Sequence, residues 1–311
     1  MPWAIKTTFL RYRHTQKEEK MKHILLYVFL PILSVLMLCG CEPEVPEVEQ
    51  PLYPTVGAIN ARFSVGDSVT VVFSQGNIQY QATTHLWRFA NNQYDVIGTG
   101  NVLIDTTNSS WIDLFGWGTS GYNDLMPYAT DDTNTHYATG ENDIAGTEYD
   151  WGQHNAISNG GNKVGEWRTL TYQEWQHLLY YRRSASLLRS MATIERVGPA
   201  GSDMGGIVLL PDKWELPTGV TFKPGSTEGF QTNVYTAGDW NLMQSAGAVF
   251  LPAGGYRDGT NVNLVGTYGC YWTSTCYTDD SAYELYFQSS GYDFYTTARA
   301  SGHCVRLVMN K

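Results

Sequence analysis

Two six-residue phrases each carry a complete helix-start signal. In Leu170-Thr171-Tyr172-Gln173-Glu174-Trp175, Thr171 is placed to cap, Glu174 returns three residues on to bond the cap's own backbone, and Leu170 and Trp175 can close over the turn. Tyr235-Thr236-Ala237-Gly238-Asp239-Trp240 repeats that grammar with Thr236, Asp239 and the Tyr235/Trp240 pair. Apolar Trp175, Leu178 and Leu179 then recur at helical spacing, so the first helix is expected to pack one face on a sheet.

Short strands surround these helices. Residues 58–63, 69–73, 78–81 and 86–89 read as strands separated by GD, QGN and TTH turns, an opening meander. From 111 to 165 the chain is rich in Gly, Asn, Asp, Tyr and Trp without a sustained period, so long ordered loops pinned by Trp111, Trp117, Trp151 and Trp167 are expected. Between the helices, 206–210 reads as a buried strand leaving through the proline-bounded turn PDKWELP. Residues 248–251 and a Tyr-rich C-terminal end complete an α+β pattern.

The C-terminal end has an unusual composition. Residues 268–304 contain seven Tyr, no Lys and only Arg299 as a cation, with Ser, Thr, Gly and Asp filling most of the gaps. Tyr offers a large stiff amphipathic face with few rotors to freeze, and small polar residues add adaptable hydrogen bonds, a mixture suited to gripping a partner. Tyr and Thr are also good strand formers, so an ordinary aromatic-rich sheet fits the same composition. The candidate ligand-binding residues are Tyr268, Cys270, Tyr277, Asp279, Tyr283, Tyr286, Tyr292, Asp293, Phe294, Tyr295 and Arg299, and the aromatics Tyr268, Tyr277, Tyr283, Tyr286, Tyr292, Phe294 and Tyr295 are expected to converge on one surface. Trp272, Leu285, Phe287, Arg306 and Val308 are expected to be scaffold.

The N-terminal end bears on location. Met21, Lys22 and His23 precede an apolar run, 24–38, long enough for a signal-peptide core and short for a membrane span. Leu38-Cys39-Gly40-Cys41 follows and resembles the lipobox of bacterial lipoproteins, which implies cleavage before Cys41 and its lipidation. Residues 1–20, a mixed-charge stretch unlike a signal n-region, read as an upstream start. Residues 41–55 then form an acidic, Pro-interrupted extended tether. Acidic residues directly behind the lipidated cysteine resemble the signal that carries some lipoproteins to the outer face of the outer membrane, and chance acidity in a linker fits as well.

Removal of residues 1–40 leaves 14 basic and 28 acidic residues, a net charge of −14. Such a chain repels phosphate backbones, so nucleic acid is not an expected partner. The expected partners are a protein or glycan ligand and, through the anchor, a membrane. The roughly 255 residues beyond the tether contain no second linker, which favours one unit over 56–311. Three cysteines would remain, Cys270, Cys276 and Cys304; one disulfide plus a free thiol is possible, but spacing decides no pairing.

Catalytic signatures are scarce. No G-x-S-x-G, H-E-x-x-H or regularly spaced His/Cys cluster occurs, so no enzyme activity and no cofactor are assigned. Asp131, Asp132, Asn134, Glu141, Asn142 and Asp143 form an oxygen-rich loop of the type calcium favours. A solvated acidic loop is the commoner outcome, and no metal is assigned there.

Phrases such as VVFSQGNIQYQA, HLWRFA, WIDLFGWGTSGYN, VLLPDKWELP, AGAVFLPAGGYRDG and YWTST…AYELYF…GHCVRLV resemble the FISUMP-type major paralogous domain of gut bacteroidete lipoproteins, over nearly the whole span 58–308. The resemblance implies a C-type lectin-like fold, two helices against small twisted antiparallel sheets with a loop-rich binding face. It implies a more distant similarity to formylglycine-generating enzymes, whose helix start is echoed by Leu170 to Trp175. Those enzymes use a cysteine pair, but Cys270 and Cys276 are spaced one residue too far apart. The Glu-Pro-Asn and Trp-Asn-Asp signatures of sugar-binding C-type lectins are missing.

Relatives of this fold include targets of diversity-generating retroelements, in which template adenines are randomised. An Asn codon AAC treated this way never yields Lys, Glu, Gln, Met or Trp, and none of these occurs in 289–304. The resemblance thus implies a variable binding segment of about 256–304. A structural or adhesive envelope lipoprotein with an unvaried surface is the alternative, and an oxidase of the formylglycine-generating type the third.

Overall fold

In a computed structural model, which describes residues 55–102, 107, 109–127 and 136–311, both expected helix starts close as reciprocal caps. The α-helical segments among these residues are α1 (Trp151–His154), α2 (Tyr172–Gln176) and α3 (Ala237–Ser245). At α2 the Thr171 Oγ1 accepts from the Glu174 amide at 3.1 Å, and Glu174 accepts from the Thr171 amide at 2.9 Å. At α3 the corresponding bonds are 3.1 and 3.0 Å. Arg168 holds Glu174 by two 2.7 Å bonds, so the first cap is itself braced. Helix α2 runs on as one π-helical turn, His177–Tyr181, which ends where the Arg182 amide bonds back to the His177 carbonyl.

The signal run 24–38, Cys41 and the tether before Thr55 lie outside the described residues, as do Asp131, Asp132 and Asn134. No helix among the described residues is long and apolar enough to cross a membrane. The described residues belong to the unit Leu52–Lys311.

The strands form small sheets, almost wholly antiparallel, so the architecture is α+β. One sheet joins β1 (Phe63–Gly66), β2 (Val69–Phe73), β16 (Leu307–Asn310) and β6 (Arg168–Thr169), with the C-terminal strand inserted between β2 and β6. A second joins β4 (Leu86–Phe89), β3 (Ile78–Gln81) and β5 (Trp111–Ile112). A third orders β10 (Val249–Pro252), β8 (Met204–Leu209), β7 (Arg189–Ile194) and β9 (Val234–Tyr235). The hairpin β11 (Tyr256–Asp258) with β12 (Asn261–Asn263) precedes the sheet of β13 (Gly269–Cys276), β14 (Ser281–Gln288) and β15 (Gly291–Ala298).

Two expectations need correction. The strand expected at 58–63 begins only at Phe63, because the Gly66-Asp67 turn closes the hairpin and pairing must abut it, Ser64 facing Thr70 and Gly66 facing Val69. The opening meander is divided between two sheets. At the QGN turn the chain crosses over instead of reversing, because buried Asn77 is committed to the Tyr271 hydroxyl (3.0 Å) and the Ile78 amide to the Val305 carbonyl (3.1 Å).

Three apolar clusters fill the interior. Trp175, Leu178 and Leu179 of α2 and its π turn pack with Phe63, Phe73, Met191, Leu251 and Leu285, which gives the first helix the sheet its spacing predicts. Trp240 and Met243 of α3 pack with Val208 and Phe250. The third cluster holds Trp87, Trp117, Trp151, Trp167 and Trp272. It pins the long loops: Trp117 Nε1 donates to the Thr273 carbonyl (2.8 Å) and Trp167 Nε1 to the Gly160 carbonyl (2.7 Å). Trp111 differs, being half-buried beneath the Arg88 guanidinium at 3.8 Å. Gly118, at φ +72°, is required there, since a Cβ would lie 2.4 Å from that of Ala138.

Candidate binding surface

The sheet β13–β14–β15 carries most of the residues that composition singled out. Its registers place Cys270 opposite Tyr286, Trp272 opposite Glu284, and Glu284 opposite Tyr295. Alternation then puts Cys270, Trp272, Glu284, Tyr286, Asp293 and Tyr295 on one face, and Tyr271, Leu285, Phe287, Tyr283, Tyr292 and Phe294 on the other. At β13 both faces are interior, with Tyr271 in one apolar cluster and Trp272 in another. Even Gly269 is forced, since any Cβ there would fall inside the Phe287 ring. At β15 neither face is closed, and no residue of that strand is buried.

The expected single aromatic surface is therefore two. On the first face Tyr286 meets Tyr268 and Tyr295 edge-on, each at 5.3 Å between ring centroids. On the second the rings run on without a break. Tyr277 meets Tyr283 (5.4 Å), Tyr283 stacks on Tyr172 (4.3 Å), Tyr172 meets Phe294 (5.1 Å), and Phe294 and Tyr292 both meet Tyr180 (6.1 and 5.9 Å), beside Tyr181 (6.3 Å). Tyr181 is 69% exposed, Tyr277 56% and Tyr180 38%. Arg189 lies 5.6 and 5.4 Å from the Tyr180 and Tyr292 rings and donates to the Tyr292 hydroxyl, a cation beneath the ridge. Burial pushes the Tyr180 hydroxyl up to about 12, so it stays a neutral donor at physiological pH.

Tyr172, Tyr180 and Tyr181 escaped the sequence reading, which looked only near the C-terminal end. The signal was the helix start itself: the apolar stripe of α2 and its π turn buries Trp175, Leu178 and Leu179 and leaves Tyr172 and Tyr180 to meet Phe294 of the edge strand.

Asp279 and Asp293 are exposed, while Tyr268, Tyr283, Tyr286, Tyr292 and Phe294 are half-buried. Trp272, Leu285, Phe287, Arg306 and Val308 are buried, in keeping with a scaffold role. Two expected surface residues are not on the surface. Arg299 is fully buried; its guanidinium lies 4.3 Å over Trp117 and donates to the carbonyls of Ala138, Gly140, Thr278 and Ser281. A buried cation that spends four bonds tying a loop to the β13–β14 turn is a brace, not a surface contact. Cys270 is buried because the segment carrying Cys304 covers the outer side of β13, the Cys304 amide bonding the Cys270 carbonyl at 2.9 Å. Cys270, Cys276 and Cys304 are all free thiols.

Beneath the first face Cys270, Glu284 and His303 come together in the interior. Desolvation pushes Glu284 up to about 7 and holds His303 down at about 3, so both tend to neutrality. They lie 3.1 Å apart, close enough for an ion pair, but the neutral forms leave no ion pair to count. No motif marks this trio in the sequence, because strand register and the bridge between Phe115 and His303 assemble it. In the oxygen-rich loop, Glu141 and Asn142 are exposed, and Asp143 accepts from the Cys276 amide at 2.9 Å.

Residues 234–308 match the family model of a domain of unknown function, DUF8237. That span holds α3 and β10 to β15 and every sequence-predicted ligand-binding residue, but not Tyr172, Tyr180 or Tyr181. Neither a curated protein nor a solved structure matches the chain.

Proposed function

We propose that this chain is a lipid-anchored, surface-displayed binding protein that grips a protein or glycan ligand through the aromatic ridge. The carrying observation is the unbroken row Tyr277–Tyr283–Tyr172–Phe294–Tyr180–Tyr292 with Tyr181 beside it, along an outer strand that pairs only with β14 among the described residues. Stiff amphipathic rings held by their neighbours bind with little ordering cost, and contiguous exposed apolar patches mark interaction sites. In this reading the chain performs no catalysis.

The finer fold reading is a C-type lectin-like domain of the FISUMP type, supported by the two reciprocally capped helices, the small antiparallel sheets and the long Trp-pinned loops. Retroelement diversification of 256–304 is part of the proposal, narrowed by burial: variation belongs at Asp279, Asp293, Tyr295 and the half-buried ridge rings, not at Arg299 or Cys270. A reverse transcriptase gene and a near-copy of the encoding DNA, differing only at adenines, would accompany such a segment.

The test is exchange of the ridge positions of 256–304 for those of a paralogue, followed by selection against envelope and host-surface extracts. A changed partner with melting within a few degrees of the parent supports the proposal. An unchanged partner would leave the structural, adhesive reading in its place. Anchorage is tested separately: Cys41→Ala should move the protein out of the detergent phase, and retention there would refute lipidation at Cys41.

A further inference from the structure

Cys270, Glu284 and His303 each present one ligand-type atom, a thiol sulfur, a carboxylate oxygen and a ring nitrogen, and these atoms all lie within 4.8 Å of one another in the interior. Glu284 Oε2 and His303 Nδ1 are 3.1 Å apart, and neither makes an aligned hydrogen bond. Buried polar atoms without partners are rare, because each forfeits its hydration for nothing. Two of them facing each other beside a thiol is a stronger departure than either alone.

We propose that this trio holds a thiolate-preferring divalent metal ion, zinc by its donor chemistry. Sulfur, imidazole and carboxylate together suit zinc, whereas calcium and magnesium take oxygen donors. Bonds of about 2.0 Å to nitrogen and about 2.3 Å to sulfur in a tetrahedron separate donor atoms by roughly 3.3 to 3.8 Å. The Oε2 to Nδ1 separation already sits near that range, and rotation of the Cys270 and Glu284 side chains can close the widest gap.

Charge favours the same ion. A thiolate and a carboxylate on a divalent cation sum to zero, the same charge as the protonated trio without metal. Metal therefore replaces two protons without adding net charge beside buried Arg257. The surroundings already hold the donors in place. The Trp272 ring stacks on His303 at 4.3 Å, the His303 backbone exchanges two 3.0 Å bonds with Phe115, and the Cys304 amide fixes the Cys270 carbonyl at 2.9 Å. Three protein donors leave a fourth position for water. The ion would pin β13 and β14 to the segment before β16, directly behind Tyr286.

The full chain, purified reduced in detergent, is titrated with cobalt and separately assayed for zinc. One equivalent of metal is expected, with a thiolate-to-cobalt charge-transfer band that Cys270→Ser abolishes and Cys276→Ser retains. Glu284→Gln and His303→Gln should weaken cobalt binding at least about tenfold. Zinc should raise the wild-type melting temperature and a chelator should lower it, a reading that needs no variant to fold. Folded wild-type chain with no thiolate–cobalt band and the same melting temperature in zinc and chelator would overturn the proposal. So would a band that survives in Cys270→Ser.

Discussion

Strands β13 and β15 are each eight residues of aromatic, small and polar side chains, yet all but the last residue of β13 are buried and none of β15 is. Composition does not separate them; what covers them does. β13 lies between two apolar clusters, so its tyrosine and tryptophan are core and its Thr273 and Ser274 are sealed beside them. Both are outer strands of the sheet, but β13 is bridged on its outer side to Gly255 and Cys304. Among the described residues nothing bridges the outer side of β15, so the same residue types become a surface whose rings are supported from one side only. An aromatic-rich segment can therefore be half scaffold and half exposed aromatic face, with the division set by what covers each outer strand.

The comparison breaks most readily at Trp272. If β13 is scaffold, Trp272→Ala should cost about 3 to 5 kcal/mol, since it empties a fully buried site and removes the 2.7 Å bond from Nε1 to the Phe115 carbonyl. Urea titration reads this, and a loss below about 1 kcal/mol would place Trp272 with the edge strand. Arg299 comes next, as the one cation of the Tyr-rich segment that proved to be a brace. Arg299→Met should cost about 2 to 3 kcal/mol by unpairing carbonyls it holds, and should leave ligand binding unchanged at temperatures well below melting. Weakened binding at full stability would return Arg299 to the face.

A smaller effect tests the interior by pH. Burial pushes Asp150 up to about 6, although Thr169 donates to it twice at 2.8 Å. The folded state then holds this proton more tightly than the unfolded chain does. Its contribution is fully present below about pH 4 and lost as pH rises through 6. Relative to Asp150→Asn, the wild type should gain about 1 kcal/mol between pH 7 and pH 5, read from denaturant midpoints at each pH. A gap that does not change with pH would mean the carboxyl is hydrated.

Much of the scaffold was legible. Thr171 with Glu174 and Thr236 with Asp239 named both helix starts, because a reciprocal cap is a local interaction written in adjacent residues. Val69–Phe73, Ile78–Gln81 and Leu86–Phe89 stand where alternation and turn residues put them. The partners of those strands were not legible, since β2 pairs with β16 from the far end of the chain. The proposed binding face was half legible for the same reason. Tyr277, Tyr283 and Tyr292 announce themselves by density, but Tyr172 and Tyr180 join them only through packing of α2 on the sheet. Arg299 misled because a lone cation among tyrosines looks like a ligand contact until the carbonyls around it are known.

The central claim is that the ridge, not the buried strand beside it, carries binding. Its most direct test compares wild type with Tyr181→Ala/Tyr277→Ala for affinity toward whatever partner the wild type selects from envelope and host-surface extracts, with melting curves alongside. Aromatic anchors are each worth about 2 kcal/mol, about 30-fold, so the double variant should lose on the order of a thousand-fold in affinity while melting within a few degrees of wild type. Equal affinity in the two proteins would contradict the account and move the partner's footprint off the ridge.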